Sequence, residues 1–391
     1  MYENKRKINK LRWLLLVILC VAMVGCGRNV ADEQQEWTQK VSDQLLEQGK
    51  IPKVGVILSS TDSAMNQTVI NALTESSKSQ VIDLRVVYPN EIPVTQDAVK
   101  YLAENNYAMI IGLAADYEQL VNKLRAKYPE TTFVAIDSEV EGPNTLSLVF
   151  KEEEGGYLAG VLAAMVNKSG IVGFIGGKAD DPRALSYQAG YYQGVNYVNQ
   201  KFSKNVRITS SFVGYFDKDI KPEKAQNLTV QQYTYGADII FQVAGKAATG
   251  VFQVASQRGG LVIGSEVNQN WMAPGLVPAS VVKNFDSVLK NVVDQYASGK
   301  VPRGVLVYSL KNNGIRITDM RNLEGVERIS VKQQQSPMDK ILKIKTWVSD
   351  ETVVELQQVR AQISQGTIKV SEGLSQEYIK ALSPIPSNPN Q

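Results

Sequence analysis

From residue 51 onward the chain alternates between two hydrophobic patterns. Short apolar runs bounded by polar or glycine-containing turns occur at residues 54–58, 81–87, 108–112, 132–136 and 146–150. Runs of this kind read as parallel strands buried on both faces, where apolar positions are continuous instead of alternating. Helical patterns over 68–77, 95–104 and 116–128 separate them. A second series follows, with helices at 152–167, 183–199, 221–233 and 248–256 interleaved with strands at 171–175, 206–213, 237–243 and 261–263. A segment at 280–282, a helix over 285–298 and a strand at 304–309 then return to the first series. Alternating strands and helices predict an α/β fold with right-handed crossovers. Two such series, crossed several times by the chain, predict two doubly wound parallel-sheet lobes joined by a hinge. The N-terminal lobe takes residues 51–148 with 279–335, and the C-terminal lobe 149–278. Residues 336–391 form a C-terminal extension, with a helix over 350–364 capped by Ser349 and stopped by Gly366, a candidate second helix over 374–382, and a Pro/Asn-rich tail from 383 that is expected to stay disordered.

Two local features refine this outline. The turn 59–66 follows the first strand and opens a helix, with Asp62 or Ser63 as candidate N-cap. Ligands of open α/β sheets sit beside such turns, at the carboxyl ends of strands, so this turn is one lip of the expected cleft. In the helix that begins at residue 152, Gly155, Gly156 and Gly160 cost helix propensity, which predicts that another helix packs closely there.

The first 50 residues follow a different pattern. Residues 1–12 are basic, 13–24 are apolar, and Gly25-Cys26-Gly27 follows. This is the layout of a secretory signal. Its 12 apolar residues fall short of the ~20 that span a bilayer. Residues 26–50 are polar and serve as a tether.

Charge and composition exclude several functions. The net charge of +3 comes from the leader, where Lys5, Arg6, Lys7, Lys10 and Arg12 outweigh Glu3, and the rest of the chain is nearly neutral. That gives no electrostatic case for nucleic acid. The two cysteines, Cys20 and Cys26, lie outside the folded body, so no disulfide framework is expected in it, and the absence of histidine removes the usual base of nucleophilic triads. Carboxylate-based catalysis and oxygen-ligated metals stay open on composition alone.

Candidate chemistry is sparse. Gly173-Phe174-Ile175-Gly176-Gly177-Lys178 lacks the spacing of a phosphate loop, and a tight turn is the simpler reading. The pairs Asp180/Asp181 and Asp217/Asp219 suit turns or N-caps better than paired-carboxylate catalysis. Phe216 and Trp271 follow strands and offer stacking faces at a cleft, with core packing as the competing role. Asp137 and Lys283 end apolar segments, where each either meets solvent or hydrogen-bonds a ligand.

The motifs 133–137, 152–164 with Leu158-Ala159-Gly160, 172–177, 236–245, Ile263-Gly264 and 280–286 together resemble the basic membrane protein (BMP) family of bacterial ABC-transporter substrate-binding lipoproteins, which includes purine nucleoside receptors. The resemblance covers about residues 53–370 and implies a type I periplasmic-binding-protein fold. It also implies binding residues. The first loop resembles the family's nucleoside loop at Asp62 and Asn66, with Met65 where a stacking Phe is usual and Thr61 in place of an Asp. Phe216 matches the second stacking ring, Asp137, Gly245 and Lys283 the ribose contacts, and Glu266 a carboxylate that is usually Asp. Met23-Val24-Gly25-Cys26 is similar to a lipobox, which implies cleavage before Cys26 and a lipid on its thiol. The function implied is a monomeric receptor, lipid-anchored on the extracytoplasmic face of the cell membrane. It would bind a small nucleoside-like ligand, present it to an ABC permease, and use no cofactor. A surface lipoprotein that senses a ligand without transport is the alternative; an enzyme ranks third, because no carboxylates pair at a defined spacing.

Overall fold

The computed structural model describes residues 51–58, 63–79, 81–88, 92–113, 117–214, 222–318 and 346–374. The signal sequence, Cys26, the tether, Thr61, Asp62, Phe216, Asp217, Asp219 and the tail from residue 375 lie outside the described residues.

The N-terminal half alternates strand and helix: β1 Lys53–Ile57, α1 Ser63–Lys78, β2 Asp83–Val87, α2 Ile92–Glu104, β3 Met109–Gly112, α3 Tyr117–Leu124, β4 Thr132–Ile136 and β5 Thr145–Phe150. These strands and a late one, β11 Gly304–Tyr308, form a six-stranded sheet of order β11-β5-β4-β3-β1-β2, parallel throughout. Both faces of β1 are covered, which is why its sequence reads as an unbroken apolar run. Val54, Val56 and Leu58 pack with Met65, Val69 and Leu73 of α1 and with helix α8, Phe285–Ala297, while Ile57 packs with Val99 and Leu102 of α2.

The second lobe comprises α4 Glu152–Val166, β6 Ile171–Gly176, α5 Pro182–Phe202, β7 Arg207–Phe212, α6 Pro222–Thr234, β8 Ile239–Val243, α7 Ala248–Arg258 and β9 Leu261–Ile263. Its four-stranded sheet, β7-β6-β8-β9, is also parallel. Helices α4 and α5, with the C-terminal helix α9 Asp350–Ser364, pack on one face, and α6 and α7 on the other. The glycines of α4 do what their propensity cost suggested. A Cβ on Gly156 or Gly160 would run into the α5 backbone carbonyls of Tyr187 or Tyr191, and one on Gly190 or Gly194 of α5 would run into the α4 carbonyls of Glu153 or Tyr157. Ser349 caps α9, its hydroxyl accepting from the Thr352 N–H at 3.2 Å.

The chain crosses between the lobes at Lys151, whose N–H donates to Tyr308 O at 2.8 Å. It crosses again after β9, through a Gly264–Ser280 bridge into β10 Val281–Lys283. Strand β12, Ile315–Ile317, pairs antiparallel with β10 and was not anticipated. It is three residues long with Arg316 in the middle, so its apolar pattern alone does not mark it. Buried amides stitch this region. Gln242 Nε2 donates to Gln269 Oε1 at 2.6 Å, the Gln269 N–H donates to Ser280 Oγ at 3.0 Å, and the Ser280 N–H donates to Thr318 Oγ1 at 2.8 Å.

Candidate functional site

The crossings bring distant carboxylates to one ammonium. Asp137 follows the last residue of β4 with a left-handed φ of 59°, and its N–H donates to Leu148 O at 2.9 Å, which turns the side chain out of the sheet. Glu152 is the first residue of α4, where the helix N-terminus favours a carboxylate. Glu266, φ 67°, lies in the loop after β9, and its carbonyl accepts from the Lys283 N–H at 2.9 Å. Lys283, the last residue of β10, has no exposed surface. Its Nζ lies 2.9 Å from Asp137 Oδ2, 2.8 Å from Glu152 Oε1 and 3.0 Å from Glu266 Oε2. The Asp137 contact has hydrogen-bond geometry; the Glu266 contact is an ion pair out of hydrogen-bond alignment. Nζ also lies 5.2 Å from the Phe150 ring centroid, a cation–π distance.

A second cation approaches from the cleft side. Arg183, in the first turn of α5, places Nη1 3.5 Å from Asp137 Oδ2. Asp181 steadies it, lying 3.4 Å from both Nε and Nη2 while capping α5 by accepting from the Arg183 N–H at 3.1 Å. The cap reading of Asp181 thus holds, and Asp180 is an exposed partner of Lys178 at 2.9 Å.

The cluster carries more negative than positive groups. Burial, reinforced by Asp137 and Glu266 and opposed by Lys283, pushes the Glu152 carboxyl up to about 7. Burial also raises Glu266. Burial by itself would lower Lys283, but Asp137, Glu152 and Glu266 overrule it and hold the ammonium charged. Asp137 Oδ1 and Glu266 Oε2 are buried and have no hydrogen-bond partner among the described residues. A cleft of about 1310 Å³ opens beside the cluster, lined by Asp137, Phe150, Glu152, Arg183, Phe212 and others.

Of the sequence-derived candidates, the structure brings together Asp137, Glu266 and Lys283. Met65 is buried in the core beneath β1, and Asn66 beside it is half-buried. Gly245 follows β8 with φ 54°, a conformation that suits glycine, and is exposed. Asp62 and Phe216 lie outside the described residues. Glu152 and Arg183 were not singled out. A carboxylate opening a helix directly after a strand was the available signal for Glu152, while Arg183 had none, because its partner is distant in sequence.

A family model described as "ABC transporter substrate-binding protein PnrA-like" matches residues 51–348. The chain is 27% identical over 231 residues to a Lactococcus lactis ABC transporter nucleoside-binding protein, covering 54% of this chain and 64% of that one. It is 25% identical over 332 residues to an uncharacterized lipoprotein of Pyrococcus horikoshii, covering 81% and 79%. Among solved structures it is similar to an ABC transporter solute-binding protein of Aeropyrum pernix, with a TM-score of 0.72 at 20% identity over 84% of this chain and 96% of that one. Two parallel sheets with multiple crossings and this likeness give a type I periplasmic-binding-protein fold.

Proposed function

The chain belongs to the Bmp family of PnrA-like ABC transporter substrate-binding proteins, and from that premise we propose that it captures a nucleoside-like ligand in the cleft beside Asp137. One observation carries the reading: Asp137 is almost fully buried, borders the cleft, and keeps Oδ1 without a partner among the described residues. A buried carboxylate oxygen left unpaired is costly, and a ligand hydroxyl that donates to it removes the cost. A sugar supplies such donors. The nucleoside-binding description of the Lactococcus relative supports the same class.

In this reading Lys283 acts from behind. Three carboxylates surround its three N–H groups, so it fixes their positions. Closure of the lobes around the ligand requires that the ligand bind the closed state more tightly than the open one. Asp62, Asn66, Gly245 and Phe216 are proposed as further contacts on the carboxyl-end loops, on the strength of the family resemblance. The delivery end of the function is an ABC permease, with the domain held to the extracytoplasmic face of the membrane by lipid on Cys26. Among the described residues no helix is long and apolar enough to cross a membrane.

Mass spectrometry of small molecules released by denaturing the purified protein tests the ligand class. A nucleoside in the extract is the expected result. Recovery of an amino acid or a free sugar in its place overturns the nucleoside reading.

A further inference from the structure

We propose that Arg183 is a latch: it reaches from the C-terminal lobe to Asp137 Oδ2 of the N-terminal lobe, and a ligand whose hydroxyls engage both carboxylate oxygens must take Oδ2 from it. The proposal rests on the reading that the ligand uses Asp137.

Three observations point to this role. The guanidinium is pre-positioned, since Asp181 is fixed by capping α5 and holds Nε and Nη2 at 3.4 Å, leaving Nη1 for Asp137 at 3.5 Å. The two cations on Asp137 differ in kind. The Lys283 side chain is 0% exposed, closed in by Asp137, Glu152 and Glu266 under the rings of Phe150 and Tyr187, so it stays put. The Arg183 side chain is 45% exposed and borders the cleft, so solvent and a ligand can reach it. Finally, the pair spans the lobes, because Asp137 follows β4 of the six-stranded sheet while Arg183 belongs to α5 on the four-stranded one. A contact of that kind holds the lobes together only while it lasts.

A latch of this kind lowers apparent affinity according to the fraction of molecules in which Arg183 holds Asp137 Oδ2. Half-exposed ion pairs are worth little, so the effect is modest. Hydrogen exchange on the full-length protein in detergent, read at the Asp137 amide and at the Val140 amide that donates to Ser147 Oγ at 2.8 Å, and calorimetric titration with adenosine test it together. In Arg183→Gln both amides should exchange faster without ligand. Adenosine affinity should rise about 2- to 6-fold. Arg183→Lys, which keeps the charge but loses the fork that engages both aspartates, should fall between the two. Unchanged exchange overturns the latch, and so does a fall in affinity, which would make Arg183 a direct ligand contact. If neither protein binds adenosine but exchange still quickens in Arg183→Gln, the latch stands and the nucleoside reading fails.

Discussion

Lys283 Nζ donates to Asp137 Oδ2 at 2.9 Å across 146 positions of sequence, with the lysine side chain 0% and the aspartate 3% exposed. The contact ties the end of β4 to the end of β10, and through Glu152 and Glu266 it gathers both crossings of the chain around one charge.

Removing that charge should be severe. Lys283→Met leaves Asp137, Glu152 and Glu266 buried without their common cation, and breaking a buried pair in this way costs about 3–5 kcal/mol. Urea denaturation at neutral pH should show a loss of this size. A loss below about 1 kcal/mol would mean that the carboxylates find other partners.

The same cluster sets a pH dependence. Glu152 holds its proton up to about pH 7 in the folded chain, against 4.5 for a free glutamate, so between those values the native state binds more protons than the unfolded one. Stability therefore falls as pH rises through that window, by up to about 3 kcal/mol from this group. Glu152→Gln should flatten the decline. Parallel pH profiles of the two proteins would show that the titration lies elsewhere.

Close approach of α4 and α5 gives a third expectation. Gly160→Ala puts a methyl group against the Tyr191 carbonyl, where backbone must move. Overpacking should outweigh the gain in helix propensity and destabilise the protein by about 1–3 kcal/mol. Gly170→Ala probes the opposite situation. Its methyl group meets nothing, and any cost comes from φ 81° alone. Thermal melts of the two variants separate crowding from backbone strain.

The strands were legible because parallel strands covered on both faces leave unbroken apolar runs, as 54–58 and 132–136 do. Helix contact was legible at Gly156 and Gly160, since glycine in mid-helix needs a reason. The site was legible only in part. Asp137 and Lys283 stand out at the ends of strand-like segments, and Glu266 is marked only by the family resemblance. Which groups meet is decided by crossings that bring α4, the β9 loop and β10 together, and no local pattern records that meeting. Met65 illustrates the converse. With Val69 and Leu73 it falls at helical spacing on one face of α1, and the structure places all three in the core. Strand β12 owes its existence to pairing with β10 instead of its own sequence.

The proposed membrane anchor is lipid on Cys26. Cys26→Ser should abolish incorporation of labelled fatty acid and release the protein from the membrane fraction, because acyl chains contribute about 0.8 kcal/mol per buried methylene. Retention of the variant in membranes would point to residues 13–24 as an uncleaved anchor.

The central claim is that Asp137 accepts a hydrogen bond from a nucleoside hydroxyl. Calorimetric titration of the wild-type protein and of Asp137→Ala with adenosine, guanosine and inosine tests it most directly. The account predicts saturable binding of at least one nucleoside to the wild type and at least a tenfold loss in Asp137→Ala, the roughly 1.5–3 kcal/mol of a hydrogen bond to a charged group. Heat that is equal in the two proteins, or absent from the wild type with all three nucleosides, would contradict it.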